Sequence, residues 1–454
     1  MRDAYRIDFT EGSIVKNLIR FTIPLILSNL IQQFYNTADQ IVVGKYSGEI
    51  ALAAVGATST ITNLILTLFI CLSVGATVMC AKYCGAFDME RTSKTVHSSM
   101  CIACVGGVIA TLIGVISARP LLVLMDVPKE ILAYSVRYMT IIFAGVPFSL
   151  IFNFGSGILR ARGDTKRPLY ILAFTGFINV VLNMLFVIVF GMDEVGVALA
   201  TIISQIISAA IVVYMLTKTN DIIRLDIKKL RFHKQETLDV LRIGIPAGLN
   251  IILYNFTEVV LQSTINTFGT VYIAANSVTG TITSYIGITH TAISNSMLSF
   301  AGQNHGAKKY LRIKKAIVVS IIMSLVISIA VITPMLLFPR EILRVFTDEI
   351  EVVEAGVVKL IIMSLSFLLN GPLNVFGGTL RGIEKPNFPF LTSLVAICVV
   401  RIIWIGFVFP LHPTFDMIFY CYSISWFFAM IAQGSGSFYF INKLDKKEKS
   451  AVSS

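Results

Sequence analysis

The chain has 454 residues, of which 55% are hydrophobic and only 14% charged, with a mean hydropathy of +0.79. That balance excludes a soluble globular protein, because too few polar side chains are present to solvate a folded surface.

Long stretches without Asp, Glu, Lys or Arg read as membrane-spanning helices. In chain order they cover 21–38, 50–81, 95–118, 138–159, 168–192 and 195–217 in the first half. The second half supplies 243–257, 259–307, 316–339, 360–380, 386–415 interrupted by Arg401, and 417–442. The 259–307 run is too long for one span; a turn at Asn266-Thr-Phe-Gly269 divides it, and its first part completes the helix that carries Glu258. The count is twelve. The predicted fold is therefore an all-α polytopic membrane protein with 12 transmembrane helices.

An even number of spans puts both termini on one side. Alternating loops place 29 Lys/Arg, from Arg2 to Lys449, on that side and seven, Lys359 among them, on the other; Arg401 falls within a span. A bias of this size marks the first side as cytoplasmic. It also accounts for the formal net charge of +11 without a nucleic-acid partner. The first dozen residues are polar and mixed in charge, so no cleavable signal peptide is expected. Seven cysteines lie in or beside the spans; Cys101 and Cys104 have redox or zinc spacing but sit mid-helix with no second ligand pair.

The chain repeats itself at an offset of 221–222 residues. Arg20-Phe-Thr-Ile-Pro24 answers Arg242-Ile-Gly-Ile-Pro246, Ala53-Ala54 and Thr60-Ile61 answer Ala274-Ala275 and Thr281-Ile282, and Gly85-Ala86 answers Gly306-Ala307. Asn153-x-x-x-Gly157-x-Leu159-Arg160 answers Asn374-x-x-x-Gly378-x-Leu380-Arg381, with Pro168 and Pro389 each eight residues past the arginine. Six matches in register indicate a duplication. With six spans per copy the two enter the membrane in the same orientation, as parallel-repeat bundles around a central cavity. The expected organisation is an N-terminal lobe at 1–217, a cytoplasmic linker at 218–236, a C-terminal lobe at 237–442 and a cytoplasmic tail at 443–454. The linker's mixed charges and its Ile222, Ile223, Leu225 and Ile227 fit an interfacial amphipathic segment or a solvated tether equally well.

Three residues are out of place in a bilayer: Asp39, Glu258 and Arg401. Charge at that depth costs about 2.5–3.5 kcal/mol on insertion scales, so each is a candidate for function. Asp39 ends a stripe of Ser28, Gln32, Asn36 and Asp39 on one face of the first helix, and the seventh helix carries Asn250, Tyr254, Glu258 and Gln262 at every fourth position. Measured from Pro24 and Pro246, Glu258 answers Asn36 rather than Asp39, so the two carboxyls are not symmetry mates. The fifth helix adds Thr175, Asn179 and Asn183, and the sixth Thr201. A carboxylate among amides and a hydroxyl serves either to carry a proton or to bind a sodium ion through hard oxygen ligands. The alternative is a structural carboxyl that only locks helices together. Arg401 reads either as the counter-ion of Glu258 or as a snorkelling side chain, and His290 as a packing residue more readily than as a cavity ligand. Pro24, Pro147, Pro246 and Pro372 lie within spans and are expected to bend them.

With these features assembled, the chain resembles the MATE (multidrug and toxic compound extrusion) transporters, nearest a DinF-like bacterial branch. The resemblance covers nearly the whole chain. It rests on Asp39-x-x-x-x-Gly44, Ala51-Leu-Ala-Ala-Val-Gly56, Gly157-x-Leu159-Arg160-Ala-x-Gly163-Asp164-Thr165, Asn179-x-x-x-Asn183 and Gly196-x-Ala198-x-Ala200-Thr201. It implies a V-shaped pair of bundles in a bacterial inner membrane, opening alternately inward and outward and exporting amphipathic cations against H+ or Na+. It assigns cation coupling to Asp39, Asn179, Asn183 and Thr201, with a sodium site at Asp39 if sodium couples, and helix bending to Pro24 and Pro246. The sequence departs from the pattern at Asn183, where many relatives have aspartate; losing that carboxylate favours protons over sodium. Glu258 lies about one turn from the acidic position of some relatives' second lobe.

The expected substrate cavity gathers Gln32, Tyr35, Asn36, Tyr254, Glu258, Gln262, His290 and Arg401, with Phe34 and Met297 as apolar liners. A lipid-linked glycan flippase from a sister family is the alternative, but its pyrophosphate calls for cationic side chains at depth, and Arg401 alone is available. No metal cluster, phosphate loop or nucleophile–base pair points to an enzyme. No cofactor is expected beyond the coupling ion, and the chain is expected to act as a monomer.

Overall fold

A computed structural model of the chain describes residues 6–453; Arg2 lies outside that range, and the side chain of Thr60 lies outside the described side chains. Thirteen helices are present among the described residues. The long ones are α1 (Ile14–Tyr46), α2 (Gly48–Gly85), α3 (Met89–Leu124), α4 (Lys129–Ala161), α5 (Lys166–Val189) and α6 (Asp193–Lys218). After the linker come α7 (Lys234–Asn266), α8 (Thr270–Gly306), α9 (Tyr310–Leu337), a short α10 (Pro339–Arg344), α11 (Ile350–Gly382), α12 (Asn387–Leu411) and α13 (Phe415–Ser453). The protein is a twelve-span membrane protein. Eleven helices are long and apolar enough by themselves to cross a bilayer; α8 is equally long but breaks its apolar run with Asn276, Thr279, Thr283, His290 and Ser294. The α7–α8 turn falls where the 259–307 run was divided, at Gly269 with φ +97°.

The solvent of this fold is lipid, and α9 records it. Ser320, Ser324 and Ser328, one turn apart, are buried, while Val318, Ile322, Val326 and Ile329 on the opposite face are more than half exposed. A soluble helix has the reverse pattern. Small residues inside let backbones approach closely, and branched apolar ones face acyl chains.

The duplication is visible in the backbone. Left-handed residues recur at the same offset of 221: Gly48 and Gly269, Phe87 and Lys308, Gly163 and Glu384. The Asn153 amide donates to the Ser149 carbonyl and the Asn374 amide to the Asn370 carbonyl, again equivalent positions. A Cβ on Gly157 would crowd Ser73 O, and one on Gly378 would collide with Ser294 O, so each copy needs glycine at the same helix crossing.

The chain forms two compact units. One comprises Ile23–Gly248 with the segment up to Asp8; the other comprises Leu249–Ser454 with Phe9–Thr22. These boundaries differ from a division at 217 and 237. The first half of α7 packs within the first unit because Gly75, Gly244 and Gly248 bring it close against α2: Cβ atoms there would strike Val240 O, Leu72 and Leu68. The segment before α1 packs within the second unit, where Phe9 stacks on Phe300 and its carbonyl accepts from Asn304 and Arg312. The chain thus changes unit three times: between Asp8 and Phe9, inside α1 within two residues of Pro24, and inside α7 within two residues of Pro246.

Two more local features follow from proline and burial. Pro147 cannot donate to the Phe143 carbonyl, and the Thr111 hydroxyl of α3 supplies the missing bond at 2.6 Å. The linker is not a free solvated tether. Ile223 and Leu225 are buried, Arg162 holds the Asp221 carboxylate through two hydrogen bonds of 2.7 and 3.0 Å, and His97 Nε2 accepts the Asp226 N–H. Burial opposes charge on Asp221, but the hydrogen bonds and positive charge of Arg162 outweigh it and hold the carboxyl below the usual carboxylate range.

Candidate functional site

In the N-terminal unit, α1, α4, α5 and α6 enclose a polar cavity of about 130 Å³. Gln32, Tyr35, Asn36, Asp39, Thr175, Asn179 and Thr201 line it, together with Asn153 of α4 and Ser204, Gln205 and Ser208 of α6. The fourfold spacings on α1 and α5 aim both polar faces at this one space.

Asp39 is anchored from behind. The Asn183 amide donates to Asp39 Oδ1 at 2.5 Å and to Asn179 Oδ1 at 3.3 Å, while Asp39 Oδ2 has no partner among the described residues. Asn183 itself is fully buried, and its own Oδ1 lacks a hydrogen-bond partner. It precedes a π-helical turn, Met184–Val189, which ends α5 beside a small apolar cluster of Val42, Val43, Val55, Val187 and Val197. Thr201 faces the cavity while its hydroxyl donates to the Val197 carbonyl, which leaves the oxygen lone pairs for the cavity. Ser208 donates to Thr175, and the Tyr35 hydroxyl donates to the Leu172 carbonyl, lying over Gly176 where a Cβ would overlap the ring.

The C-terminal unit has a larger cavity, about 400 Å³, and Glu258 and Gln262 are among its lining residues. Arg401 is the counter-ion of Glu258: Nη1 lies 3.1 Å from Oε1, and the guanidinium is 1% exposed. The Tyr422 hydroxyl donates to Oε2 at 2.6 Å, and Arg401 stacks 4.0 Å over the Tyr422 ring, so the snorkelling alternative is excluded. Like Asn183, Arg401 adjoins a π turn, lying between Leu394–Val399 and Trp404–Val408.

Other expectations need correction. Arg401 stands behind Glu258 and does not line the cavity, and Tyr254 packs against the core of the unit. His290 is a packing residue: Nδ1–H donates to Asn370 Oδ1 at 3.0 Å, Nε2 accepts from Ser328 at 2.7 Å, and the ring lies beside Phe367. Met297 is fully buried and Phe34 exposed; neither lines a cavity described here. Lys359, counted above among outside loop charges, lies within α11 and is 6% exposed, so Arg401 is not alone at depth. Its signal was present, since an early lysine on a span is long enough to reach inward, but its direction was not. All seven cysteines, Cys101 and Cys104 included, are free, and no cluster of three metal-binding side chains occurs among the described residues.

Twelve spans in two repeated units, each with a polar cavity walled by helices, define a multi-pass membrane transporter. A family model, MatE, matches residues 24–185 and 246–405, and the chain belongs to that family of multidrug transporters. The two matched segments are the two copies of the repeat. Among relatives, the chain is 28% identical to the probable multidrug resistance protein YoeA of Bacillus subtilis over 87% of its own length and 86% of the relative's. It is 25% identical to the multidrug export protein MepA of Staphylococcus aureus, covering 84% of each chain. Its fold matches an outward-facing multidrug resistance MATE family transporter of the MOP superfamily with a TM-score of 0.91 at 22% identity, over 98% of this chain and 100% of that one.

Proposed function

We propose that the protein is a secondary active antiporter that exports small amphipathic organic cations by alternating access, taking H+ in exchange. Its setting is the bacterial inner membrane, with both termini in the cytoplasm and the chain acting as a monomer. The observation that carries this reading is Asp39, with one oxygen bound to Asn183 and the other free in a small polar cavity. An amide partner suits a carboxyl that changes protonation, because it donates to the ionised form and, turned over, accepts from the protonated one. A second carboxylate in its place would favour a metal cation instead; Na+ at Asp39, with Asn179 and Thr201 as further ligands, is the other coupling ion this oxygen-rich cavity accommodates. Pro24 and Pro246, at two of the points where the chain changes unit, each leave one carbonyl of the preceding turn without its helical donor and give the helix a place to bend.

The test is transport in proteoliposomes. An imposed proton gradient is expected to drive movement of a fluorescent organic cation, and Asp39→Asn to reduce it to the rate seen without a gradient. Undiminished proton-driven transport by that variant refutes the assignment. Transport driven by a sodium gradient alone replaces H+ with Na+.

A further inference from the structure

The C-terminal cavity differs from the N-terminal one in sign. Both oxygens of Glu258 are engaged, by Arg401 at 3.1 Å and by Tyr422 at 2.6 Å, so this carboxylate is already neutralised from behind. Lys359 is not. Its Nζ donates to the Asn276 carbonyl at 2.9 Å and to Asn276 Oδ1 at 2.5 Å, and no carboxylate lies within ion-pairing distance among the described residues. Those two bonds use two of its three protons. Asn276 is fixed in turn, because its own amide donates to Gln262 Oε1 at 2.7 Å and Gln262 donates to Asn266 Oδ1 at 2.7 Å. A chain of amides thus holds one ammonium at the cavity wall.

An almost fully buried ammonium without an anionic partner is costly, and the cost falls when a ligand brings the countercharge. The rest of the wall says what kind of ligand. Phe367 and Trp426 lie 5.2 Å apart and both face the cavity, giving an aromatic surface next to the charge. At about 400 Å³ the space suits a small organic molecule rather than a bare ion.

We propose that Lys359 anchors the carboxylate of a small aromatic acid or zwitterion in the cavity of the C-terminal unit. The transporter then has two subsites of opposite sign, Asp39 for a cationic group or coupling ion and Lys359 for an anionic group. Calling the bound molecule a substrate rests on the export reading above; the binding itself does not.

The test reads binding alone. Trp426 and Trp404 are the two tryptophans of the chain, so Trp404→Phe leaves Trp426 as the sole reporter. In this background, reconstituted in lipid nanodiscs, 1-naphthoate is expected to quench the fluorescence saturably. Lys359→Gln weakens that binding about tenfold or more, as loss of a charge-assisted hydrogen bond does, while Lys359→Arg stays within a few-fold. The neutral isostere 1-naphthamide binds weakly and equally to all three. Asn276→Ala provides a second route, freeing the lysine from its anchor and weakening naphthoate with the lysine still present; thermal unfolding of each variant separates lost binding from lost fold. Equal affinity for naphthoate and naphthamide, or unchanged naphthoate binding by a folded Lys359→Gln variant, overturns the proposal. Loss of proton-driven cation transport leaves the naphthoate result intact, and loss of naphthoate binding leaves the assignment of Asp39 intact.

Discussion

Asp39 and Glu258 are both acidic residues on repeated helices, yet their surroundings divide them. Asp39 meets one neutral amide and keeps an oxygen for the cavity, whereas Glu258 is tied to a buried guanidinium and a phenol. The first arrangement leaves a group free to exchange an ion; the second is a strut. Glu258→Gln therefore leaves Arg401 buried without a countercharge. The half-exposed position of Glu258 moderates the penalty, so a loss of about 1–3 kcal/mol is expected, read as a lower melting temperature of the purified protein. Glu258→Gln paired with Arg401→Leu is expected to recover part of that loss, because the uncompensated charge goes with the arginine. Sequence showed Asp39, Glu258 and Arg401 and the stripe beneath Asp39, because a polar residue is conspicuous in an apolar span. It did not show Lys359 as buried, because a lysine near a helix end reads equally well as a loop charge.

At the scale of elements, proline and glycine set where helices bend and how closely they approach. Pro147 is relieved by Thr111 of α3, whose hydroxyl donates to the carbonyl that the proline cannot serve. Beside it, a Cβ on Gly107 would lie 2.5 Å from Pro147 Cα, so the two helices meet backbone to backbone. Pro246 stands instead where α7 leaves one unit for the other. Pro246→Ala restores an N–H and stiffens that point. The expected outcome is a folded protein of equal or higher melting temperature whose proton-driven transport in proteoliposomes is several-fold slower; an unchanged rate would remove this proline from the moving parts. The prolines were legible in the sequence, but their different duties depended on which neighbour sat opposite each one.

For the whole molecule, the linker matters more than its sequence suggested. It is pinned to the N-terminal unit by Arg162 and Asp221, and both residues lie outside the spans. Because the folded Asp221 carboxyl is held below its unfolded value, near 3.9 for a free aspartate, its contribution is complete above that value and is lost as pH falls through the lower folded value. Protease cleavage within 219–232 is therefore expected to be slow at neutral pH and to accelerate only in strong acid. Arg162→Ala is expected to raise the cleavage rate already at pH 7; equal rates for both proteins would show that the buried Ile223 and Leu225 hold the linker without the ion pair.

The sequence by itself determined the lipid-embedded helical class, the twelve spans and the duplication, and it picked out the polar stripe that ends at Asp39. Those properties are encoded in hydropathy, period and repeat, all of which are local or recur at a fixed offset. Tertiary structure alone decided which charges face one another: Arg401 behind Glu258, Asn183 behind Asp39, Lys359 on Asn276, and His290 in a packing niche. It also decided that the chain changes unit inside α1 and α7. The reason is physical. A side chain's partners across a helical bundle are set by how neighbouring helices pack, and spacing along one helix specifies its own face without specifying what that face meets.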